Sequence, residues 1–377
     1  MYINAILMNI PIDVDFGKLI QEKLEDAYRK RGHANIIVAG KTGVGKSTLI
    51  NAVFQGDIAS TGQGKPVTQD TREYTKEGVP ISIFDTRGLE LKAFDETLRQ
   101  LTLFIDQRAQ EKDPSRHIHC AWLCISEESD RFEDGEINLA KQIAMMGVPV
   151  IGVITKSEKE DDGGFGSKLL TAIPELRNTV RVMAKPKVVR GGHSVPVMGL
   201  HELVDLTMEV IPDGQRNAFA AAQKVVLRQK KGRAHKVVIG ATAAAATIGG
   251  APIPFSDAVG LVPVQVSMLA GVAAVFGLPF DTGFFSTMIA GIIGGGGGIL
   301  LGRAIVGGLV LLIPGAGMFL KGVICGSTAA ALTACVGEAF IAAISSLIEA
   351  DPINPPTAEQ VAEAMKTEMA KRNPFKK

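Results

Sequence analysis

The sequence predicts a doubly wound α/β domain followed by an all-α, Gly/Ala-rich helical domain. Three observations carry this. The octapeptide Gly40-Lys41-Thr42-Gly43-Val44-Gly45-Lys46-Ser47 sits between an apolar strand-like run and a helix-like run. Further short apolar runs then alternate with helical patterns, as in a mostly parallel sheet. Between Val237 and Gly337, by contrast, the only charged side chains are Asp257, Asp281, Arg303 and Lys321.

The 377 residues suggest two or three domains, on a prior of roughly 100–200 residues each. Composition shifts divide the chain into an N-terminal helical extension (1–34), the α/β domain (35–212), a basic connecting helix (213–236), the apolar region (237–350), and a linker with a last helix (351–377). A net charge of +1 gives no global argument for nucleic acid. The four cysteines, at 120, 124, 325 and 335, show no disulfide or zinc spacing and fit a reducing compartment. His117 and His119 beside Cys120 have no partner cluster, so a strand edge is the better reading than a metal site. Met1 to Leu7 lacks a basic leader, and its apolar core is too short for a signal peptide, so secretion is not expected.

In order, Lys18 to Arg31 reads as a helix with Ile20, Leu24, Ala27 and Tyr28 on one face, able to pack beside the α/β domain. Asn35 to Ala39 is a buried strand, and Ser47 to Phe54 a helix. The octapeptide between them fits the phosphate-loop pattern G-x-x-x-x-G-K-[ST]. Gly43 and Gly45 let the backbone curl so that successive N–H groups face phosphate oxygens, and the helix start adds unpaired N–H groups. Lys46 would reach the β- and γ-phosphates, and the Ser47 hydroxyl, followed by Thr48, would meet Mg²⁺.

Ser60 to Thr71 is polar and turn-rich, as a loop should be. Val79 to Phe84 is a strand running into Asp85-Thr86-Arg87-Gly88, a D-x-x-G. His119 to Ser126 and Val148 to Ile154 read as buried strands, with a helix from Glu136 to Met146 between them. Thr155-Lys156-Ser157-Glu158 closes the second of these strands. Arg181 to Lys185 reads as the last strand with its following loop, and Leu200 to Ile211 as a closing helix.

With these motifs in this order, the chain resembles the Era-like and septin-like branch of translation-factor-related GTPases over about residues 35 to 212. The residues carrying the resemblance are GKTGVGKS, PVT, DTRG, TKSE and MAK. The run His119 to Ile125 with Arg131, and Ala251 to Ala258 with Leu261 to Gln265, are similar to a sub-branch with an apolar C-terminal domain of undefined function. A more distant likeness is to interferon-inducible immunity GTPases, which work at membranes.

The resemblance implies GTP and GDP as substrate and product, with Mg²⁺ held by Ser47, Thr68 and Asp85, and Thr71 as the alternative to Thr68. It implies that the Gly88 N–H meets the γ-phosphate. Thr155, Lys156 and Glu158 would contact guanine together with Ala184 and Lys185. Glu158 stands where the family carries Asp. Leu89 follows the D-x-x-G, where a water-orienting Gln stands in Ras-like members, and Gly43 replaces the Asn of potassium-using members. Charge stabilisation would therefore come from Arg87, Arg72 or a partner, which suggests slow intrinsic turnover raised by a homodimer formed through this domain or by another partner surface.

Phe219 to Lys236 reads as a basic helix with Lys224, Arg228, Lys230, Lys231, Arg233 and Lys236. Beside an apolar region and without interleaved aromatics, it favours anionic lipid over RNA. The apolar runs Val237–Gly250, Ala258–Leu278, Gly283–Gly302, Ala304–Ile324 and Ser327–Ile348 approach the length that crosses a bilayer. Their small residues suit helix contact in lipid. Asp257 and Asp281 are expected to cap helices or pair with Arg303 or Lys321. Thr357 and Gln360 form a capping box for a helix with Val361, Met365 and Met369 on one face. The expectation is a membrane-associated GTPase with this domain facing the cytoplasm. The alternatives are a ribosome- or RNA-associated assembly GTPase and a GTP-gated transporter.

Overall fold

The computed structural model describes residues 16–54, 58–61, 65–67, 71–86, 94–129, 131–159, 163–188, 194–248, 256–278, 280–293, 326–352 and 354–372. The chain divides into two compact units, Gly32–Val226 and a helical unit of Met1–Arg31 with Leu227–Lys377.

The first unit is built on a seven-stranded sheet. Its strands are β1 (Ala34–Ala39), β2 (Lys65–Pro66), β3 (Thr71–Lys76), β4 (Val79–Thr86), β5 (Cys120–Ser126), β6 (Val150–Thr155) and β7 (Leu176–Val182). They lie in the order β2-β3-β4-β1-β5-β6-β7. From β4 to β7 the pairing is parallel, and the β2-β3-β4 edge is antiparallel. The central strands are apolar on both faces because both are covered. Ile36, Val38, Cys120 and Trp122 bury with Leu49, Ile50, Leu203, Val204 and Phe219 on one side. Ile37, Ala39, Ala121 and Leu123 bury with Phe104, Leu139, Ile143 and Leu169 on the other. The first layer comes from α2 (Lys46–Val53), α7 (Leu200–Val210) and α8 (Asp213–Ala222). The second comes from α4 (Phe94–Ala109), α5 (Asp134–Met145) and α6 (Phe165–Ala172). The remaining elements are α3 (Ile58–Thr61) and a two-stranded ribbon of β8 (Lys187–Val188) and β9 (Ser194–Val195).

Three readings of the sequence are corrected here. The last strand begins at Leu176, five residues before the expected Arg181. Only Leu176, Val180 and Val182 on it are buried, so its polar outer face hid it. The polar stretch up to Thr71 reads in sequence wholly as loop, yet Lys65–Pro66 is a strand, and β3 begins at Thr71. The supposed basic helix from Phe219 to Lys236 is broken. Phe219 belongs to α8, and the buried Gln223 makes the break: its Oε1 accepts the N–H groups of Val225 and Val226, each at 2.8 Å. Lys224 therefore falls in the first unit and the other five basic residues in the second.

The helical unit comprises α1 (Phe16–Arg31), α9 (Leu227–Ile248), α10 (Ser256–Phe276), α11 (Thr282–Ile293), α12 (Gly326–Ala350) and α13 (Ala358–Arg372). Ile20 and Leu24 of α1 are in its core, so α1 is part of this unit. Tyr28 donates its hydroxyl to the carbonyls of Leu278 and Phe280 at 3.1 and 2.9 Å, anchoring α1 to the turn before α11. Helices α9 and α12 meet closely at Gly337, where an added Cβ would come within 2.6 Å of Val238. Asp281 caps α11 by accepting the Phe284 N–H at 2.7 Å. The side chain of Asp257, and Arg303 and Lys321, lie outside the described residues. Thr357 and Gln360 exchange the expected hydrogen bonds, at 2.9 and 3.3 Å. Val361, Met365 and Met369 are buried. Of the basic residues on α9, Lys230 is buried and donates to the Phe276 carbonyl at 2.8 Å, and Lys231 pairs with Glu349 at 2.9 Å.

Among the described residues one helix, α12, is long and apolar enough to cross a membrane, and 61% of its most apolar window is buried within the structure. The latter part of the Gly283–Gly302 run, from Gly294, and all of Ala304–Ile324 lie outside the described residues.

Candidate nucleotide site

The Gly-rich octapeptide connects β1 to α2 at the carboxyl end of the parallel strands, where ligands of open α/β sheets bind. Gly40, at φ 146°, lies against β5: a Cβ there would meet the Cys124 carbonyl oxygen at 2.3 Å. Gly43 and Gly45 have φ of 81° and 100°, which L side chains rarely adopt, and a Cβ on either would project into open space. They serve the curl of the loop rather than its packing. Lys46 is buried and folds back over the loop, donating to the carbonyls of Gly40 at 2.7 Å and Lys41 at 3.1 Å. Its Nζ is 3.7 Å from Asp85 Oδ1 at the end of β4. A cation is thus held against the loop by two of its own carbonyls. Ser47, next in the chain, is exposed.

Two side chains brace the loop from outside. Thr155 Oγ1, at the end of β6, donates to the Val44 carbonyl at 2.6 Å. Lys41 pairs with Glu133 ahead of α5. Thr155 stands in the stretch read for base recognition, and its hydroxyl also bonds the phosphate loop.

Beside the loop opens a cavity of about 260 Å³ lined by Gly45, Thr48, Leu49, Glu128, Thr155, Lys156 and Val182 to Lys187. This brings together the phosphate loop, the end of β6, and the Ala184-Lys185 loop, as the motifs require. Lys156 has φ 54°, the only positive value of a non-glycine among the described residues. Its Nζ bonds Glu128 at 3.0 Å. Glu158 does not line the cavity, and its carboxylate is bonded to Lys187.

The sequence reading missed Glu127, Glu128 and Lys187. Glu127 is buried, and its Oε2 accepts the N–H groups of Glu158 at 2.9 Å and Lys159 at 3.3 Å. Its Oε1 pairs with Arg181 at 2.9 Å. One carboxylate therefore ties the ends of β5, β6 and β7 together under the base-side segment. The available signal was an acidic pair directly following a buried strand, at the edge where α/β ligands bind. Glu128 is held below the usual carboxylate range by hydrogen bonds from Lys156 and then Lys187.

Thr68, Arg87, Gly88 and Leu89 lie outside the described residues. Arg72 is on β3, directly opposite Asp85 in the strand register. His119 is a backbone partner, accepting the Asn35 N–H at 2.9 Å and bonding the Pro114 carbonyl at 2.9 Å. Cys120 and Cys124 are buried, and burial pushes the Cys124 thiol up to about 12.

The hydroxyl of Ser47 and the carboxylate of Asp85 are the hard oxygen donors that suit Mg²⁺, and Lys46 with the loop N–H groups suits a triphosphate.

A mostly parallel sheet with this loop and an adjoining cavity is the architecture of a P-loop nucleotide-binding domain. Residues 35–156 match the family model described as 50S ribosome-binding GTPase. GTPase Der of Dinoroseobacter shibae is 28% identical over 166 residues, covering 41% of this chain and 32% of that protein. The tRNA modification GTPase MnmE of Cupriavidus pinatubonensis is 33% identical over 90 residues, covering 22% of this chain and 18% of that protein. Translocase of chloroplast 159 of Arabidopsis thaliana is 38% identical over 105 residues, 27% of this chain and 7% of that one. The chain thus spans a third or less of the length of these relatives. A crystal structure of a probable GTP-binding protein, engB, aligns with a TM-score of 0.33 at 18% identity, over 47% of this chain and 98% of that one.

Proposed function

We propose that the chain binds GTP and GDP with Mg²⁺, hydrolyses GTP, and acts at a membrane. The observation carrying the nucleotide half is Lys46 held inside the curled loop with the base-sized cavity beside it. Loop N–H groups and Lys46 would take the β- and γ-phosphates, and Ser47 with Asp85 would hold the metal. Bound there, Mg²⁺ would neutralise charge developing on the phosphate oxygens. Thr68 and the Gly88 N–H are assigned to the metal and the γ-phosphate by their motifs. Leu89 offers no group to orient water, so turnover without a partner is slow. Arg72, opposite Asp85, and Arg87 are the cations available to the transferring phosphate.

Membrane action is supported by the charge-poor run from Val237 to Gly337 and the 25-residue apolar helix α12. A relative's name, translocase of chloroplast, is in keeping with it. The basic patch supports it less than its sequence suggests, because Lys230 turns inward and Lys231 is paired. The second reading, ribosome association, is favoured by the description of the matching family. The test is GTP turnover by the full chain with and without liposomes, beside co-sedimentation with ribosomes. Turnover per molecule is expected to rise with liposomes and with protein concentration. A specific rate indifferent to both would argue against membrane and dimer activation, and ribosome co-sedimentation would favour the second reading.

Base choice is a separate prediction. A site that hydrogen-bonds a base N–H rejects bases lacking it, since its own acceptor is left unpaired. Glu158 supplies that acceptor on an arm one methylene longer than Asp, an ordering cost of about 1 kcal/mol. Glu158→Asp should tighten GDP binding several-fold, and Glu158→Ala should erase the preference for GDP over ADP. Equal competition by ADP and GDP in the unmodified protein would remove Glu158 as the base reader.

A further inference from the structure

One flank of the base cavity carries an ion-pair ladder. Lys187 Nζ lies 3.0 Å from Glu128 Oε1 and also bonds Glu158 Oε1, while Lys156 takes the other Glu128 oxygen at 3.0 Å. Lys156, Glu128 and Lys187 line the cavity, and Glu158 does not. The carboxylate that the motif assigns to a purine N1–H and its exocyclic amine is engaged by a lysine of the cavity lining. The backbone N–H of Glu158 is held by Glu127 at 2.9 Å. Lys187 comes from β8, an element separate from the segment bearing Glu158. Its ammonium is held above its ordinary value, by Glu158 first and then Glu128.

Resting on the guanine-nucleotide reading above, we propose that Lys187 is a specificity-determining gate of the base cavity: it occupies the Glu158 carboxylate, and a guanine must displace it to use that acceptor. A base lacking the paired N–H donors gains nothing equivalent from the displacement. The Lys187 and Glu158 side chains are 46% and 26% exposed, so solvent screens their attraction. A gate of that strength lowers guanine affinity by roughly two- to fivefold and does not close the site.

The test uses the full chain, with GDP and ADP competing against a fluorescent GDP. The proteins are the unmodified chain, Lys187→Met, Lys187→Gln, Glu158→Gln and the Lys187→Met/Glu158→Gln double variant. Removing the lysine charge is expected to tighten GDP by roughly two- to fivefold while leaving ADP unchanged. The gain should vanish in the Glu158→Gln background, which a merely structural role for Lys187 would not produce. In the unmodified protein, added salt should weaken the gate and raise the GDP-to-ADP preference. An unchanged preference in both lysine variants, a weaker GDP affinity in them, or a gain that persists without Glu158 would overturn the gate. If GDP binds the unmodified chain and the preference does not move, the gate alone falls. If GDP does not bind it at all, the gate and the reading beneath it fall together.

Discussion

Replacing Lys46 with Ala is expected to abolish measurable GTP and GDP binding in a chain that still folds. Lys46 is the cation at the centre of the loop, donating to Gly40 and Lys41 while 3.7 Å from Asp85. Its bonds to phosphate oxygens would be charge-assisted, worth about 1.5–3 kcal/mol each. Losing two such bonds is roughly a 10²- to 10⁴-fold loss of affinity. The sheet should survive, because the loop's shape is also set by Gly40 against Cys124 and by Thr155 on the Val44 carbonyl. Fluorescent-nucleotide titration beside circular dichroism checks both halves. Unchanged GDP affinity in a folded Lys46→Ala protein would remove the nucleotide site from the loop.

Glu127→Ala should be the most destabilising change at the site. Its carboxylate holds two backbone N–H groups of the base-side segment and the Arg181 guanidinium, and it is 3% exposed. Truncation leaves those donors without their acceptor and removes the carboxylate that Arg181 pairs with, a loss of about 3 kcal/mol. For a domain of this size that lowers the melting temperature by roughly 6–12 °C. Preference for GDP over ADP should fall as well, since the Glu158 backbone is released. Glu127→Gln keeps an acceptor for the backbone and loses the ion pair, so it should fall between. A melting temperature within a degree of the unmodified protein would mean that water replaces the carboxylate at no cost.

These two residues mark what the sequence made legible. Lys46 stands in eight consecutive residues whose spacing and Gly content prescribe the turn, so loop, strand and helix could be read together. Glu127 acts on residues 31, 32 and 54 positions away, and no local pattern announces such a contact. The central strands were legible because apolar faces on both sides produce continuous hydrophobic runs. β3 and β7 were not, since each buries only a few residues and otherwise shows polar side chains to water. The break at Gln223 was hidden for a related reason: a buried glutamine bonding the following N–H groups looks in sequence like any polar helix residue. The engagement of Glu158 by Lys187 was not legible either, because it depends on a ribbon 29 residues further on.

The most direct measurement is phosphate release from GTP by the full chain with Mg²⁺ present. The account predicts slow release that stops when the metal is chelated, is absent in Lys46→Ala, and is slower with ATP. Release that persists undiminished in Lys46→Ala, or none from the unmodified chain at any protein concentration with or without liposomes, would contradict it.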